Sequence, residues 1–175
     1  MTRAASAAPR PARGAGILRR GVRRLVGAVL CAAALAAGAA DPDIVVRELE
    51  PATYPDAREA LEDALAEEGL PAATVSGFGA MLARTAPDLG HRADLYAQAE
   101  IFSFCSARVA ARMAAEDVRH IALCPLTVAL YTLPNEPTRV NLAYRRPGPD
   151  SPAGHLAAEL LARIAARTAA GVGLR

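Results

Sequence analysis

A chain of 175 residues with 53% apolar, 22% charged and 4% aromatic content has the size of one ordinary domain with its own core, which excludes a disordered chain and a large multidomain enzyme. All 20 of its basic Lys or Arg positions are arginine, so Schiff-base chemistry and a lysine-bearing phosphate loop are excluded as well. The formal charge of +2 is unevenly spread, because seven arginines fall in the first 40 residues, where there is no acid, leaving 13 arginines against 18 acids, a balance of −5, in the remainder. That mildly acidic part, poor in stacking aromatics, has no nucleic-acid footprint, and no nucleic-acid partner is expected.

Residues 1–24 are arginine-rich and run into an apolar stretch from Leu25 to Ala40. Basic charge followed by a short apolar run is the pattern of a secretory signal peptide. The run spans about 16 residues, mostly alanine, short of the roughly 20 strongly apolar residues of a membrane-spanning helix. A retained anchor is therefore the weaker reading, and no stable membrane anchor is expected after cleavage. Gly38, Ala39 and Ala40 suit cleavage just before Asp41. This makes 1–40 a signal peptide and 41–175 a single exported domain, periplasmic or secreted. Cys31 is a poor lipidation site, since Leu30 stands where a small residue is needed. Arg19-Arg20 and Arg23-Arg24 leave the twin-arginine route open beside the general one.

In chain order, Asp43 to Glu50 reads as a first strand, with Ile44, Val46 and Leu49 loosely alternating with charge. A helix follows from about Pro55 to Glu68, its apolar stripe Ala57, Leu61, Ala64 and Leu65, ended by Gly69. A short strand near Ala72 to Ser76 precedes a short helix carrying Phe78, Met81 and Leu82 and broken at Pro87 and Gly90. Tyr96 to Cys105 is a strand with Phe102 and Phe104 on one face and Ile101, Ser103 and Cys105 on the other. Ser106 then caps a helix from Ala107 to about Glu116. Ile121 to Tyr131 reads as a strongly apolar strand, and Asn135-Glu136-Pro137 turns it into Thr138 to Arg145 as a hairpin. Ser151-Pro152 opens a last helix whose stripe is Leu156, Leu160, Leu161 and Ile164, ending near Gly171. Hairpins mixed with helical crossovers predict an α+β two-layer sandwich, a mixed or antiparallel sheet with helices on one face.

Two cysteines, Cys105 and Cys124, fall in the exported part, and three readings stand side by side. A disulfide is one: cysteines at the end of one strand and the start of an adjacent parallel strand would lie at opposite ends of the sheet, whereas a crossover returning by a short helix and a long loop would let them meet. An activated Cys105 thiol at the helix start is the second, against a plain buried cysteine. A metal or haem site with His120 is the third, but no CxxC, CxxCH or HxxxH element exists, so no metal or other cofactor is expected. Tyr131, Tyr144, Arg145 and Arg146 end the hairpin strands; they read as arginines protecting an edge strand, with a small anion pocket as the alternative. No Ser/His/Asp order, glycine-rich phosphate loop or metalloprotease helix is present.

The series Ala99 to Ser106, then Arg112-Met113, Ala115-Glu116-Asp117, Ile121 to Leu126, Tyr131 and Ala143 to Pro147 resembles the bacterial family called domain of unknown function 302, over about residues 43–170. Ser106-Ala107 and Cys124-Pro125-Leu126 stand where many relatives carry Asn-Pro and Leu-Pro-Cys, which resembles a distinct branch and weakens any transfer of a two-cysteine site. The resemblance implies a compact two-layer fold similar in element order to the TATA-box-binding protein, and a homodimer; it implies no established activity. Placement of residues then makes the chain a non-enzymatic module for a small anionic or thiol ligand or a partner. Its expected pocket is formed by Cys105, Ser106, Cys124, Pro125, Tyr131 and Arg145. A thiol-based redox enzyme or carrier using Cys105 with Cys124, and a structural dimeric subunit, are the alternatives.

Overall fold

The computed structural model describes residues 43–70, 73–148 and 150–174; the signal-peptide reading falls outside them. Strict two-residue alternation in the central strands generates one apolar sheet face. Five strands, β1 (Ile44–Leu49), β2 (Thr74–Ser76), β3 (Gln98–Phe104), β4 (Leu126–Leu133) and β5 (Glu136–Arg145), pair antiparallel throughout in the order β1-β5-β4-β3-β2. The register sets Phe104 against Leu126, Phe102 against Val128 and Leu130 against Leu142, so their side chains share one face. All of them are buried.

That face is covered by helices α1 (Tyr54–Glu67), α3 (Ala107–Glu116) and α4 (Pro152–Val172), while α2 (Phe78–Thr85) packs on β3. Leu61 and Leu65 of α1, Val109 and Met113 of α3, and Leu161 and Ile164 of α4 complete a single core with the strand residues. Alanines along α1 and α4 let the two helices approach closely: a Cβ on Gly171 would stand 3.1 Å from that of Ala60. Arg163 and Arg167 of α4 reach across to Glu67 and Glu68 at the end of α1. Hydroxyl caps start the three core helices, with Thr53, Ser106 and Ser151 accepting from the amides of Asp56, Val109 and Gly154. Gly69, at φ +68°, closes α1 in the left-handed region that only glycine enters freely. The α+β reading holds, with the sheet wholly antiparallel and the three core helices on one face; α2 alone lies on the other, where Gly79 approaches Ala99.

Three expectations are corrected. The stretch from Ile121 to Leu123 belongs to a 3-10 helix, Val118–Leu123, and the strand begins only at Leu126. Asp117 caps that turn through Arg119 N at 2.9 Å, and Val118 and Ile121 are largely exposed. Their apolar character was not a sign of burial in a sheet. The hairpin turns at Pro134-Asn135, and Glu136 and Pro137 already belong to β5. Pro137 is tolerated there because β1 does not pair with β5 until Val140, so no ladder bond is lost to its missing N–H. Lastly, β5 is not an edge: β1 lies outside it, and the edges of the sheet are β1 and β2.

The opposite face of the sheet carries small and apolar residues in register. One row runs Val46, Ala143, Ala129, Ile101 and Ser76 across all five strands, and the next runs Glu48, Asn141, Tyr131 and Ala99. Ile44 and Val46 are 42% and 49% exposed on this side. Among the described residues, no helix is long and apolar enough to cross a membrane.

Candidate functional site

Antiparallel pairing decides where the cysteines go. Because β3 and β4 run in opposite directions with Phe104 facing Leu126, Cys105, one residue past β3, and Cys124, two residues before β4, leave the sheet at the same end. The parallel arrangement that separates them in the sequence reading does not occur. Both thiols are free; Cys105 is exposed and Cys124 half-buried, packed against the core. Burial pushes the Cys124 thiol up, and the charge of the neighbouring Cys105 adds to the effect. A thiol raised in this way is a poor first nucleophile at neutral pH.

Cys105 and Ser106 line a partly open cavity of about 400 Å³ at the start of α3, bordered also by Gly69, Leu160, Arg108 and Arg163 among others. The first turn of α3 leaves backbone amides without intrahelical acceptors, so the cavity wall is electropositive for a structural reason. Arg108 has no carboxylate partner among the described residues, whereas Arg163 is held by Glu68 at 3.3 Å. Glu68 also lines the cavity, and its charge is answered twice, by Arg163 and by Arg167 at 3.1 Å.

Pro125 and Arg145 line a second, smaller cavity of about 220 Å³, together with Leu123, Arg146 and Leu161. Of the six expected pocket residues, five therefore gather at one end of the sheet. They divide between two cavities, with the Cys124 side chain against the core. Tyr131 stands apart, four residues further along β4 than Thr127 and so roughly 13 Å up the strand at the usual rise. It packs edge-on against Tyr96 at 5.5 Å, which in turn meets Phe78 at 6.1 Å.

The sequence reading missed Arg108, Arg163 and Gly69 as cavity residues. Arg108, two positions after a helix cap, was legible as a helix-start cation. Arg163 was not, since only the docking of α4 on α1 brings it there. His120 turns its Nδ1 to the carbonyl of Met113 at 3.2 Å. Among the described residues no three His, Cys, Asp or Glu side chains form a metal-sized group.

A polar network lies under the sheet on the far side of the core from these cavities. The buried Tyr54 hydroxyl donates to Glu100 Oε2 at 3.1 Å and approaches the carbonyl of Leu130 at 3.3 Å. Arg58 binds the same carboxylate at 3.0 Å and lies over the Phe102 ring at 5.7 Å. Every lining group here is engaged, and the network is a structural one.

The fold has a solved counterpart. The crystal structure of an uncharacterized conserved protein DUF302 from Bacillus stearothermophilus superposes with a TM-score of 0.51 at 18% identity, over 76% of this chain and 98% of that one. No curated protein matches the chain. The family model described as "Domain of unknown function DUF302" matches residues 45–170, and the chain belongs to that family.

Proposed function

We propose that this chain is a non-enzymatic exported module that holds a small anionic ligand, thiol-bearing ones included, in the cavity at the start of α3. One observation carries the reading. The amides of Ala107 and Arg108 at the start of α3, the Arg108 guanidinium, which has no carboxylate partner among the described residues, and the exposed Cys105 thiol border one cavity of about 400 Å³. Backbone donors and a guanidinium fork recognise carboxylate or phosphate oxygens. The arginine-rich, acid-free start of the chain and the apolar run after it support an address outside the cytoplasm. Titration of the labelled protein with phosphate, sulfate, citrate and glutathione, followed by amide NMR, tests it. The expected outcome is a saturable shift confined to residues near Gly69, Cys105–Val109 and Arg163, weakened in Arg108→Gln. Shifts scattered over the surface, or none at millimolar ligand, would refute it.

A second reading, a structural homodimer, is favoured by the part of the opposite sheet face at β1 and β5 that α2 leaves uncovered. Two copies meeting about a two-fold axis in the sheet plane and perpendicular to the strands would lay Val46 and Ala143 on their counterparts, beside α2. The same operation would set Arg145 of each copy beside Glu48 of the other, one charge pair per half. Sedimentation of the wild type and of Val46→Arg tests it: a dimer reduced to monomer by the arginine is expected, and a wild type still monomeric at about 100 μM refutes it.

A further inference from the structure

The two free cysteines are more than neighbours in the fold. Phe104 and Leu126 are the last pair of the β3–β4 ladder; Cys105 follows the end of β3 by one residue and Cys124 precedes the start of β4 by two. The two segments that carry them therefore leave the sheet side by side, close enough that the charge of Cys105 acts on the Cys124 thiol. Neither residue belongs to a paired strand, so the pleat does not fix where their side chains aim. Cys105 is exposed, which leaves its side chain room to turn toward the half-buried Cys124.

We propose that Cys105 and Cys124 are a reversible dithiol–disulfide pair, with Cys105 the sulfur that meets the external reactant and Cys124 the sulfur that resolves it. The co-reactant is a low-molecular-weight disulfide. The Cys105 thiolate attacks one of its sulfurs, forming a mixed disulfide and releasing one thiol. The Cys124 thiolate then attacks the Cys105 sulfur, closing the intrachain bond and releasing the second thiol. The chain loses two protons and two electrons, and the external disulfide is reduced to two thiols. The order of attack follows from access, since Cys105 is the more exposed of the two, and the raised Cys124 thiol agrees with it. The closed bond ties the start of α3 to the entry of β4 and withdraws the Cys105 sulfur from the cavity it borders. The pair stands independently of the ligand reading, because it needs no occupant of that cavity.

The test uses the full chain carrying Cys31→Ser, so that two thiols remain, fully reduced and then exposed to oxidised glutathione in native buffer. After acid quenching, unfolding and alkylation, the expected product is a monomer lighter by two hydrogens that takes up no alkyl group until dithiothreitol restores both thiols. Cys124→Ser should stop at a stable glutathione adduct on Cys105. Cys105→Ser should form its Cys124 adduct more slowly, by at least an order of magnitude. Circular dichroism establishes that each variant is folded; if a variant is not, the wild-type product in native buffer decides alone. A wild-type reaction that halts at the Cys105 adduct with Cys124 still alkylated would overturn the proposal. A covalent dimer, or closure only in urea, would do the same.

Discussion

Tyr54 is the residue whose removal tests the packing of the two layers most directly. Its ring is 7% exposed at the first position of α1, and its hydroxyl joins that helix to β3 through Glu100 and to β4 through the carbonyl of Leu130. Tyr54→Phe keeps the ring and deletes the donor. A hydrogen bond to a charged acceptor contributes about 1.5–3 kcal/mol, and the lower end applies because Glu100 keeps Arg58 and some water access, so a loss of about 1.5 kcal/mol is expected. With a urea slope of about 1.5 kcal/mol/M, the unfolding midpoint at pH 7 should fall by about 1 M. The pH dependence gives the sharper check. Burial first, then the charge and hydrogen bond of Glu100, push the Tyr54 hydroxyl above the ordinary tyrosine value of 10.0. The stability it contributes is therefore complete below the unfolded value and lost as pH rises beyond it, because the unfolded chain ionises there while the folded chain stays protonated. The other tyrosines are common to both proteins and cancel in the comparison. Above about pH 10 the wild type should lose about 1.4 kcal/mol per pH unit relative to Tyr54→Phe, so the two urea midpoints should meet near pH 11. Midpoints that differ at pH 7 but run parallel from pH 9 to 11.5 would refute the argument, for they would mean that Tyr54 is not the buried, proton-retaining hydroxyl described.

Three further outcomes are expected. Gly69→Ala should lose about 1 kcal/mol in urea unfolding, from backbone conformation alone, because φ is +68° and nothing stands within 4 Å of the added Cβ. Glu116 accepts from the amide of Ala153 at 2.8 Å at the start of α4, and its carboxyl is held below its ordinary value by the Ser151 hydroxyl first and this amide next. The contribution of a lowered carboxyl is present above the unfolded value and lost as pH falls through the folded one. Glu116→Gln should therefore be less stable than wild type at pH 7, with the thermal midpoints converging in the acid range. Expression of the complete chain in an export-competent bacterium should yield a periplasmic product whose intact mass begins at Asp41, and a cytosolic product retaining residues 1–40 would refute the leader reading.

The fold was legible wherever periodicity and caps agreed. The Ser106 cap and the helix start at Ala107 were read where they stand, with the end near Glu116, because a hydroxyl cap and an amphipathic turn make the same statement at one place. Phe102 and Phe104 were read correctly as one strand face. The reading failed at Ile121, where apolar side chains lie in a 3-10 turn and stay exposed. Apolar content without alternation does not distinguish a strand from a solvent-facing turn, and Asp117 as the cap of that turn was the signal to weigh against it. In β1 the loose alternation had a physical meaning. Ile44 and Val46 point to the open face while Leu49, of opposite parity, is buried in the core.

The candidate site was legible in composition but not in geometry, and strand direction is the reason. Cysteines at the end of one strand and ahead of the next are separated by the strand length in a parallel pair and adjacent in an antiparallel pair. The segment between them, a helix and a turn, fits either connection by length. Pairing Phe104 with Leu126 resolves it and brings Cys105 and Cys124 to one end. The same register carries Tyr131 away, since it lies opposite Ala99 at the other end of β3. Residue types alone grouped Tyr131 with Arg145 as strand ends, but β4 and β5 run in opposite senses, so the end of one strand is beside the beginning of the other. That constraint keeps Cys105, Cys124 and the start of α3 together at one end of the sheet and the Tyr96–Tyr131 stack at the other.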